Sequence, residues 1–401
     1  MKKILLTTSI SVLSIAAGFS QVSIKQGDAS AINTINTAVP FLRISPDARS
    51  GAMGDVGIAL TPDASSTYWN AAKLAFMDKD MGASITYTPW LKQLVNDIYL
   101  ANLSFYKRID KNQTIATSLR YFSLGSITFT DANGATLSNF NPKEFAWDVS
   151  YARKLSEHFS VAVSGRYIYS NLAAGFSVSQ VQINAANGGA VDMGMYYKKN
   201  VKLSKDMKGL WAMGLNISNL GTKISYTSSA SNKDYLPANI GIGTALKMDL
   251  DKFNTLELAL DINKLLVPTP YPVSLDSTQA WKSYSPLEGA IKSLTDAPGG
   301  FKEKLKEFYY SFGAEYWYDK QFSVRTGVFY ENPDKGGRFY MTTGIGVKYS
   351  VFGINFSYLV PAFHSNTNLT RSPLDNTLRF GLLFDFDALK TDAKNEKPAT
   401  M

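Results

Sequence analysis

The stretch F-A-W-D-V-S-Y, residues 145–151, alternates large apolar side chains with small or polar ones, one residue at a time. Successive side chains of a strand point to opposite faces, so the odd-numbered residues share an apolar face and Asp148 lies on the other. The next stretch, F-S-V-A-V-S-G-R-Y-I-Y-S at residues 159–170, repeats the pattern. The two stretches predict neighbouring β-strands that each have one face free of charge.

The same alternation recurs along the chain after Leu74 and predicts an all-β protein. An even number of such segments, close to fourteen, is typical of a closed bacterial barrel with antiparallel strands. The fourteen segments are centred near Ile85, Leu103, Leu119, Val149, Val163, Met193, Leu215, Ile242, Leu258, Phe312, Val324, Thr343, Phe356 and Leu382.

The composition agrees with a protein that crosses a membrane by strands. Of the 401 residues, 45% are apolar and only 18% are charged, below the roughly 25% typical of soluble domains. No stretch after the first twenty residues is apolar enough to span a bilayer as a helix. The mean hydropathy of −0.11 is what alternating apolar and polar residues produce.

Within the windows of clear alternation, charged side chains occur on only one phase of the strands. A charge facing lipid at the middle of the bilayer costs about 2–4 kcal/mol in a barrel, whereas a charge facing the lumen finds partners or water. We therefore assign the polar phase to the lumen and expect its charges to form a salt-bridge network. These charges, six of each sign, are Arg120, Asp148, Arg166, Asp192, Lys247, Glu257, Asp261, Glu315, Arg325, Lys348, Arg379 and Asp385.

A soluble β-sandwich would also have a charge-free inner face, so the charges alone leave both architectures open. Aromatic residues near the ends of the apolar faces favour the membrane barrel, because interfacial girdles lie there. The residues concerned are Trp90, Trp147, Trp211, Tyr99, Tyr169, Tyr197, Tyr318, Tyr330 and Tyr349. The sequence thus predicts a transmembrane antiparallel β-barrel of 14 strands in the outer membrane.

Connector lengths predict the orientation of the barrel. Outer-membrane barrels have short periplasmic turns and longer extracellular loops, so the alternation of lengths predicts that both termini are periplasmic. Short links are expected at Ile109–Asn112, Leu155–His158, Asp249–Phe253, Asp319–Gln321 and around Ser350.

The two ends of the chain do not alternate. Residues 1–20 have a basic start and a short apolar run, which predicts a cleaved signal peptide. Residues 21–76 contain Gly51, Gly54 and Gly57 and predict a plug packed in or beneath a barrel formed by residues 77–388. Residues 389–401 are predicted to be a disordered periplasmic tail.

No motif for catalysis or for a cofactor is found. The three glycines do not have the spacing of a dinucleotide fingerprint, and tight packing is the expected reason for them. The chain has no cysteine and two histidines without ligand-spaced partners, so we expect no metal site and no enzymatic activity. The formal charge of +8 does not cluster, so lipid rather than nucleic acid is the expected anionic partner.

The plug carries a resemblance to a known family. The stretch A-R-S-G-A-M-G-D-V-G at residues 48–57, followed by D-A-S-S at 63–66 and N-A-A-K-L-A at 70–75, resembles the N-terminal signature of the PorV/PorQ family. This family belongs to the type IX secretion system and to the wider FadL-like group of fourteen-strand outer-membrane barrels. The resemblance continues through G-S-I-T-F-T-D at 125–131 and along the barrel. Ala71 stands where the group often has proline.

The resemblance implies a transport role without catalysis. Members of this family bind the type IX translocon barrel protein. They receive cargo proteins through the C-terminal signal domain of the cargo and deliver them to the surface attachment complex. The alternatives are a FadL-like channel for hydrophobic small molecules and a general diffusion porin.

The longest connector, Leu265 to Glu307, is the predicted partner-binding element. Pro268, Pro270 and Pro272 are expected to stiffen its base, and helices are predicted over Pro286 to Asp296 and Gly300 to Phe308. A loop of this length exceeds what a passive connector needs, and apolar or aromatic anchors are the usual carriers of binding energy. The predicted contact residues are Trp281, Tyr284, Leu287, Ile291, Leu294 and Phe301.

Overall fold

The computed structural model describes residues 34–92, 95–130, 133–178, 181–205, 207–228, 233–270, 280–361, 374 and 376–387. The predicted signal peptide, the first part of the predicted plug, the predicted tail and Pro272 lie outside these residues. Within the described ranges, no helix has the length and apolar character needed to cross a membrane.

Fourteen of the strands close into one barrel in which all neighbours are antiparallel, and all fourteen predicted centres lie in them. The strands are β1 (Met81–Pro89), β2 (Ile98–Arg108), β3 (Gln113–Leu124), β4 (Ile127–Thr130), β5 (Thr136–Phe140), β6 (Lys143–Lys154), β7 (Phe159–Asn171), β8 (Ser177–Val178), β9 (Val181–Gln182), β10 (Ala186–Lys202), β11 (Lys208–Gly221), β12 (Asn239–Asp249), β13 (Asn254–Leu265), β14 (Phe308–Tyr318), β15 (Phe322–Glu331), β16 (Phe339–Tyr349), β17 (Phe352–Pro361) and β18 (Thr377–Phe386). Strand β1 pairs with β18 to close the barrel, while β4 with β5 and β8 with β9 form small hairpins outside it. The predicted barrel of fourteen antiparallel strands is confirmed.

The apolar phase of the strands faces outward. In β6, Trp147 and Val149 are 53% and 50% exposed, whereas Asp148 and Ser150 are 2% and 1% exposed. A soluble sandwich would bury the apolar phase, so this arrangement excludes it and fits a barrel surrounded by lipid. One aromatic assignment was wrong, because Trp90 packs inward against the cluster of Phe41, Leu42 and Leu100.

Short and long connectors lie at opposite ends of the barrel, as predicted. Short turns join β2 to β3, β6 to β7, β12 to β13, β14 to β15 and β16 to β17. The start of β1 and the end of β18 lie at the same end as these turns, because the number of strands is even. The long connectors, including those with the two hairpins, lie at the other end, which we call the long-loop end.

Residues 34–76 fold into a plug inside the barrel. The plug has four short helices, and its apolar residues, such as Met53 and Leu74, are fully buried. The helix Ala71–Phe76 packs against β3, β6, β7 and β10, and the helix Ala48–Gly51 packs against β16, β17 and β18. The plug therefore contacts the wall on opposite sides. Its helices are Pro40–Arg43 (3-10), Ala48–Gly51, Ser66–Trp69 and Ala71–Phe76 (3-10).

The loop between β13 and β14 contains the two predicted helices, but both are shorter than expected. They span Pro286–Lys292 and Gly300–Lys306, after a 3-10 turn at Ala280–Ser283. The first helix ends early because the Ser293 hydroxyl donates to the Ala290 carbonyl and Lys304 donates to the Ser293 carbonyl. A further 3-10 turn, Pro333–Lys335, lies between β15 and β16.

Candidate functional site

The three glycines of the plug lie where no larger side chain fits. Gly54 has a φ of 70°, and a β-carbon there would lie 2.5 Å from the backbone nitrogen of Val328 in β15. A β-carbon on Gly51 would lie 2.8 Å from the side chain of Arg379, and Gly57 packs directly on the Trp69 ring. The expected packing role of the three glycines is confirmed.

The barrel wall has matching glycines. A β-carbon on Gly214 or on Gly313 would lie 2.6 Å from the carbonyl oxygen of Ile58 or Met53, respectively. Gly327 lies directly against the peptide between Met53 and Gly54. The backbone of the plug therefore packs on the backbone of the wall, and a methyl group at these positions would push it away.

Arg49 of the plug lies at the centre of the first charge cluster. Its guanidinium donates to Glu315 at 2.6 and 3.0 Å, to Glu257 at 3.1 Å and to Asp63 at 3.0 Å. Arg325 donates at 2.6 Å to Oε1 of Glu315, the oxygen that also accepts from Nε of Arg49. Glu315 thus links a plug arginine to a wall arginine, and the cluster holds the plug in the barrel.

The second cluster contains residues from neighbouring strands. Asp148 accepts hydrogen bonds from Arg166 and, at 3.4 Å, from Arg120. Arg166 also donates to Asp192 at 2.7 Å. This cluster touches the plug where Arg120 donates to the Leu42 carbonyl at 3.3 Å.

Two of the predicted network residues contact the plug backbone. Asp261 has no arginine or lysine partner among the described residues, and instead accepts hydrogen bonds from the backbone nitrogens of Gly57 and Ile58 at 2.7 and 2.9 Å. Arg379 lies 3.6 Å from Asp55 of the plug. Both residues therefore position the second half of the glycine motif, from Asp55 to Ile58.

The remaining strand charges lie near the short-turn end. Asp385 accepts from Tyr106 at 3.2 Å and from Lys348 at 3.4 Å, and it is half-buried. Lys348 is exposed and Lys247 is half-buried. No cluster of three metal-ligating side chains occurs among the residues that the structure describes. The arrangement is suited to holding a plug, and we derive no catalytic chemistry from it.

Strand alternation gives no indication of Arg49. Its bonded partners Glu257 and Glu315 are 208 and 266 residues away in sequence, and Arg49 itself lies outside any strand. The available signal was its place in the resembling stretch at residues 48–57. A charged residue just before glycines that pack tightly is a candidate for a buried ion pair.

The loop between β13 and β14 exposes an apolar surface at the long-loop end. Leu287, Ile291 and Leu294 are exposed and follow helical spacing, and Phe301 on the next helix is 76% exposed. We call these four residues the outer-loop surface. They are four of the six residues predicted to bind a partner.

The other two predicted contact residues attach the loop to the barrel. Trp281 is half-buried and packs against the cluster of Tyr235, Leu265 and Val267. The Tyr235 hydroxyl donates to the carbonyl oxygens of Trp281 and Tyr284 at 2.8 and 2.9 Å. Trp281 and Tyr284 are both half-buried, so their side chains are less available to a partner than the outer-loop surface.

A buried polar cluster fixes the loop beneath its helices. Lys304 donates to Asp296 at 2.7 Å and to Glu307 at 2.8 Å, and Lys264 of β13 lies 3.0 Å from Glu307. Thr269 donates to Glu307 at 2.7 Å. Burial alone would raise the pKa of Glu307, but the hydrogen bond from Lys304 and the charge of Lys264 outweigh burial and hold that pKa below its usual value. The described part of the loop is therefore held to the barrel by charge-assisted hydrogen bonds.

Three solved structures are similar to this chain at low identity. The toluene transporter TbuX of Ralstonia pickettii has 12% identity and a TM-score of 0.43, and the match covers 86% of this chain and 99% of that chain. The toluene transporter TodX of Pseudomonas putida has 12% identity, a TM-score of 0.44 and coverages of 85% and 96%. A FadL homologue of Pseudomonas aeruginosa has 9% identity, a TM-score of 0.40 and coverages of 88% and 99%. Similarity at this level carries no inference about transport.

A family comparison is more specific than these structures. No curated protein matches the chain. The family model described as "Type IX secretion system protein PorV" matches residues 26–272, more than half of the chain, including the plug and the strands β1 to β13. The closed barrel with its apolar outer face agrees with that assignment. The chain belongs to the PorV family of type IX secretion system proteins and is an outer-membrane β-barrel.

Proposed function

We propose that this barrel is a non-enzymatic cargo carrier. It binds the type IX translocon barrel, receives cargo proteins through their C-terminal signal domains and delivers them to the surface attachment complex. Both termini lie in the periplasm, and the long-loop end faces the outside of the cell. The observation that carries the proposal is the outer-loop surface, which is apolar, water-facing and firmly attached to the barrel.

The outer-loop surface has the properties of a docking site. Leu287, Ile291 and Leu294 recur at intervals of four and three residues, so they share one face of the helix and its following turn. Clustered apolar side chains that are exposed to water are energetically unfavourable, and in proteins such patches mark interaction sites. Since Lys304 and Glu307 hold the loop in place, little conformational entropy would be lost on binding.

The position of the surface favours a partner in the same membrane. A depression of about 600 Å³ lies between Leu287 and the wall residues Val191 and Leu220. Val191 is on the exposed, apolar phase of β10. The outer-loop surface is thus continuous with the lipid-facing wall, as a contact with a second membrane barrel requires. This continuity supports the translocon barrel as the first partner.

Pairs of matched variants test the proposal. Replacing Leu287 and Ile291 by asparagine should reduce co-purification of the translocon protein from solubilised outer membranes at least about tenfold, because apolar anchors dominate interface energies. Secretion of cargo by the same cells should fall in parallel. Ile109→Asn is the control, since Ile109 is similarly exposed, 55% against 62% for Ile291, but lies at the short-turn end.

Two outcomes would contradict the proposal. Normal co-purification and secretion by the Leu287 and Ile291 double variant would show that the outer-loop surface is not the binding site for the translocon protein. Uptake of a long-chain hydrophobic compound that depends on this protein, with unchanged secretion, would favour the FadL-like channel instead.

A further inference from the structure

A polar cavity lies inside the barrel at the long-loop end. It has a volume of about 250 Å³ and lies between the plug and the wall strands β15 to β18. A second cavity of about 70 Å³ adjoins it and shares five of its lining residues. The polar residues that matter here are Arg43, Ser45, Asp55, Arg338, Tyr340 and Arg379.

Two buried donors in the wall of this cavity lack partners. Arg379 is 1% exposed, and its Nε atom has no hydrogen-bond partner among the described residues. Its other contacts are long, 3.6 Å to Asp55 and 3.5 Å to the Gly51 carbonyl. The hydroxyl of Ser45, which is 2% exposed, also has no partner there. Buried polar groups normally have hydrogen-bond partners, so these two donors indicate a ligand.

The cavity also has an excess of positive charge. Arg43 and Arg338 share Glu331, at 3.3 and 2.7 Å. Arg379 has only Asp55, whose other carboxylate oxygen accepts from the Tyr340 hydroxyl at 2.6 Å. Three guanidinium groups therefore face two carboxylates.

A fourth cation does not change this balance. Lys335 also lines the cavity, but it is paired with Glu303 and lies 3.8 Å from Glu307, neither of which lines the cavity. One positive charge is thus left without a matching negative charge.

We propose that this cavity binds a small monovalent carboxylate, with Arg379 and Ser45 as its donors. A guanidinium presents a planar fork of N–H groups that matches the two oxygens of a carboxylate. A single excess charge is balanced by a monoanion, whereas a divalent sulfate would add one uncompensated negative charge. The proposal concerns the interior of the barrel and does not depend on the cargo-carrier function.

Calorimetric titration of the purified, full-length barrel in detergent tests this proposal. Sodium acetate should bind saturably at constant ionic strength, and sodium sulfate should not. Arg379→Gln should weaken acetate binding about tenfold or more, as expected for a hydrogen bond to a charged group. Ser45→Ala should have a smaller effect, about threefold, because it removes one neutral donor.

Arg120→Gln is the matched control, because Arg120 is also 1% exposed but pairs with Asp148 and does not line the cavity. Its acetate affinity should equal that of the unmodified protein. Folding of each variant is checked by heat-modifiable migration on gels. If Arg379→Gln does not fold, the acetate affinities of Arg379→Lys and Ser45→Ala are measured instead.

Three results would overturn the proposal. The first is the absence of saturable acetate binding to the unmodified protein. The second is equal affinity in the Arg379 and Ser45 variants and the unmodified protein. The third is sulfate binding as tight as that of acetate.

Discussion

At the scale of single residues, Glu315 is the point where the plug and the wall meet. It is 1% exposed and accepts hydrogen bonds from Arg49 of the plug and Arg325 of the neighbouring strand. Removing one partner of a buried ion pair costs more than the pair itself contributes, because the remaining charge stays buried. The stability of the assembled barrel should therefore respond strongly to changes at Arg325.

The first prediction compares Arg325 with its sequence neighbour. Arg325→Glu places a second carboxylate beside Glu315 and should lower the free energy of unfolding in detergent by about 3–5 kcal/mol. The midpoint of heat-induced unfolding, followed by gel migration, measures this loss.

Val324→Arg is the companion variant. Val324 is 58% exposed on the outer face, so an arginine there should cost about 2–4 kcal/mol in the membrane and reduce insertion. The amount of protein in the outer-membrane fraction measures insertion. Equal, mild effects of both variants would show that the inward and outward phases of β15 are assigned wrongly.

At the scale of elements, the loop between β13 and β14 is a small folded unit held by its own ion cluster. Glu307, Lys304 and Lys264 form buried contacts beneath the two helices. The surface pair of Glu288 and Lys292 differs, because both side chains are 46% exposed and such pairs contribute little. The order of the loop should therefore depend on Glu307 and not on Glu288.

The second prediction is that the loop loosens in acid. The pKa of Glu307 in the folded protein is held below the ordinary value of 4.5. Its ionised form therefore stabilises the loop fully above pH 4.5, and this contribution is lost as the pH falls through the lower native pKa. Hydrogen exchange of residues 280–307, corrected for the intrinsic effect of pH, should show protection at pH 7 that declines in acid.

Two variants complete this test. Glu307→Gln should remove the protection at neutral pH and with it most of the pH dependence. Glu288→Gln should behave like the unmodified protein. An unchanged loop in the Glu307 variant would mean that apolar packing of Trp281 alone holds it.

At the scale of the whole molecule, the plug lies inside the barrel and contacts its wall on several strands. The helices Ala71–Phe76 and Ala48–Gly51 contact opposite walls, and Gly327 lets the plug backbone touch β15. Two cavities lie beside the plug, with volumes of about 70 and 250 Å³. The side chains that line them carry charges of both signs and form no ring of a single sign. This arrangement favours a barrel that is closed to ions.

The third prediction concerns conductance in planar bilayers. The unmodified protein should give no stable conductance steps. Gly327→Ala should give brief openings, because its methyl group would overlap the peptide between Met53 and Gly54 and displace the plug. Gly165→Ala is the control, since a β-carbon there meets no atom within 4 Å. Stable, large steps from the unmodified protein would favour the porin alternative.

The number and position of the barrel strands could be predicted from the sequence. Side-chain alternation is a local property of an extended chain, so segments such as residues 145–151 could be recognised without knowledge of their neighbours. It also separated the charged phase, which contains Asp148 and Arg325, from the apolar phase, which contains Trp147 and Val324. The glycine motif at residues 51–57 predicted tight packing because glycine is the residue that permits close backbone approach.

The folded structure was needed to confirm which phase faces outward and to show what the inner charges bind. Alternation is the same in a sandwich and in a barrel, and the closure of β1 on β18 is what turns Trp147 outward. Arg49 finds Glu315 across 266 residues, and Trp90 turns inward onto the plug cluster. Such pairs depend on how the plug packs inside the closed barrel. No local pattern encodes them, because the partners become neighbours only when the whole chain has folded.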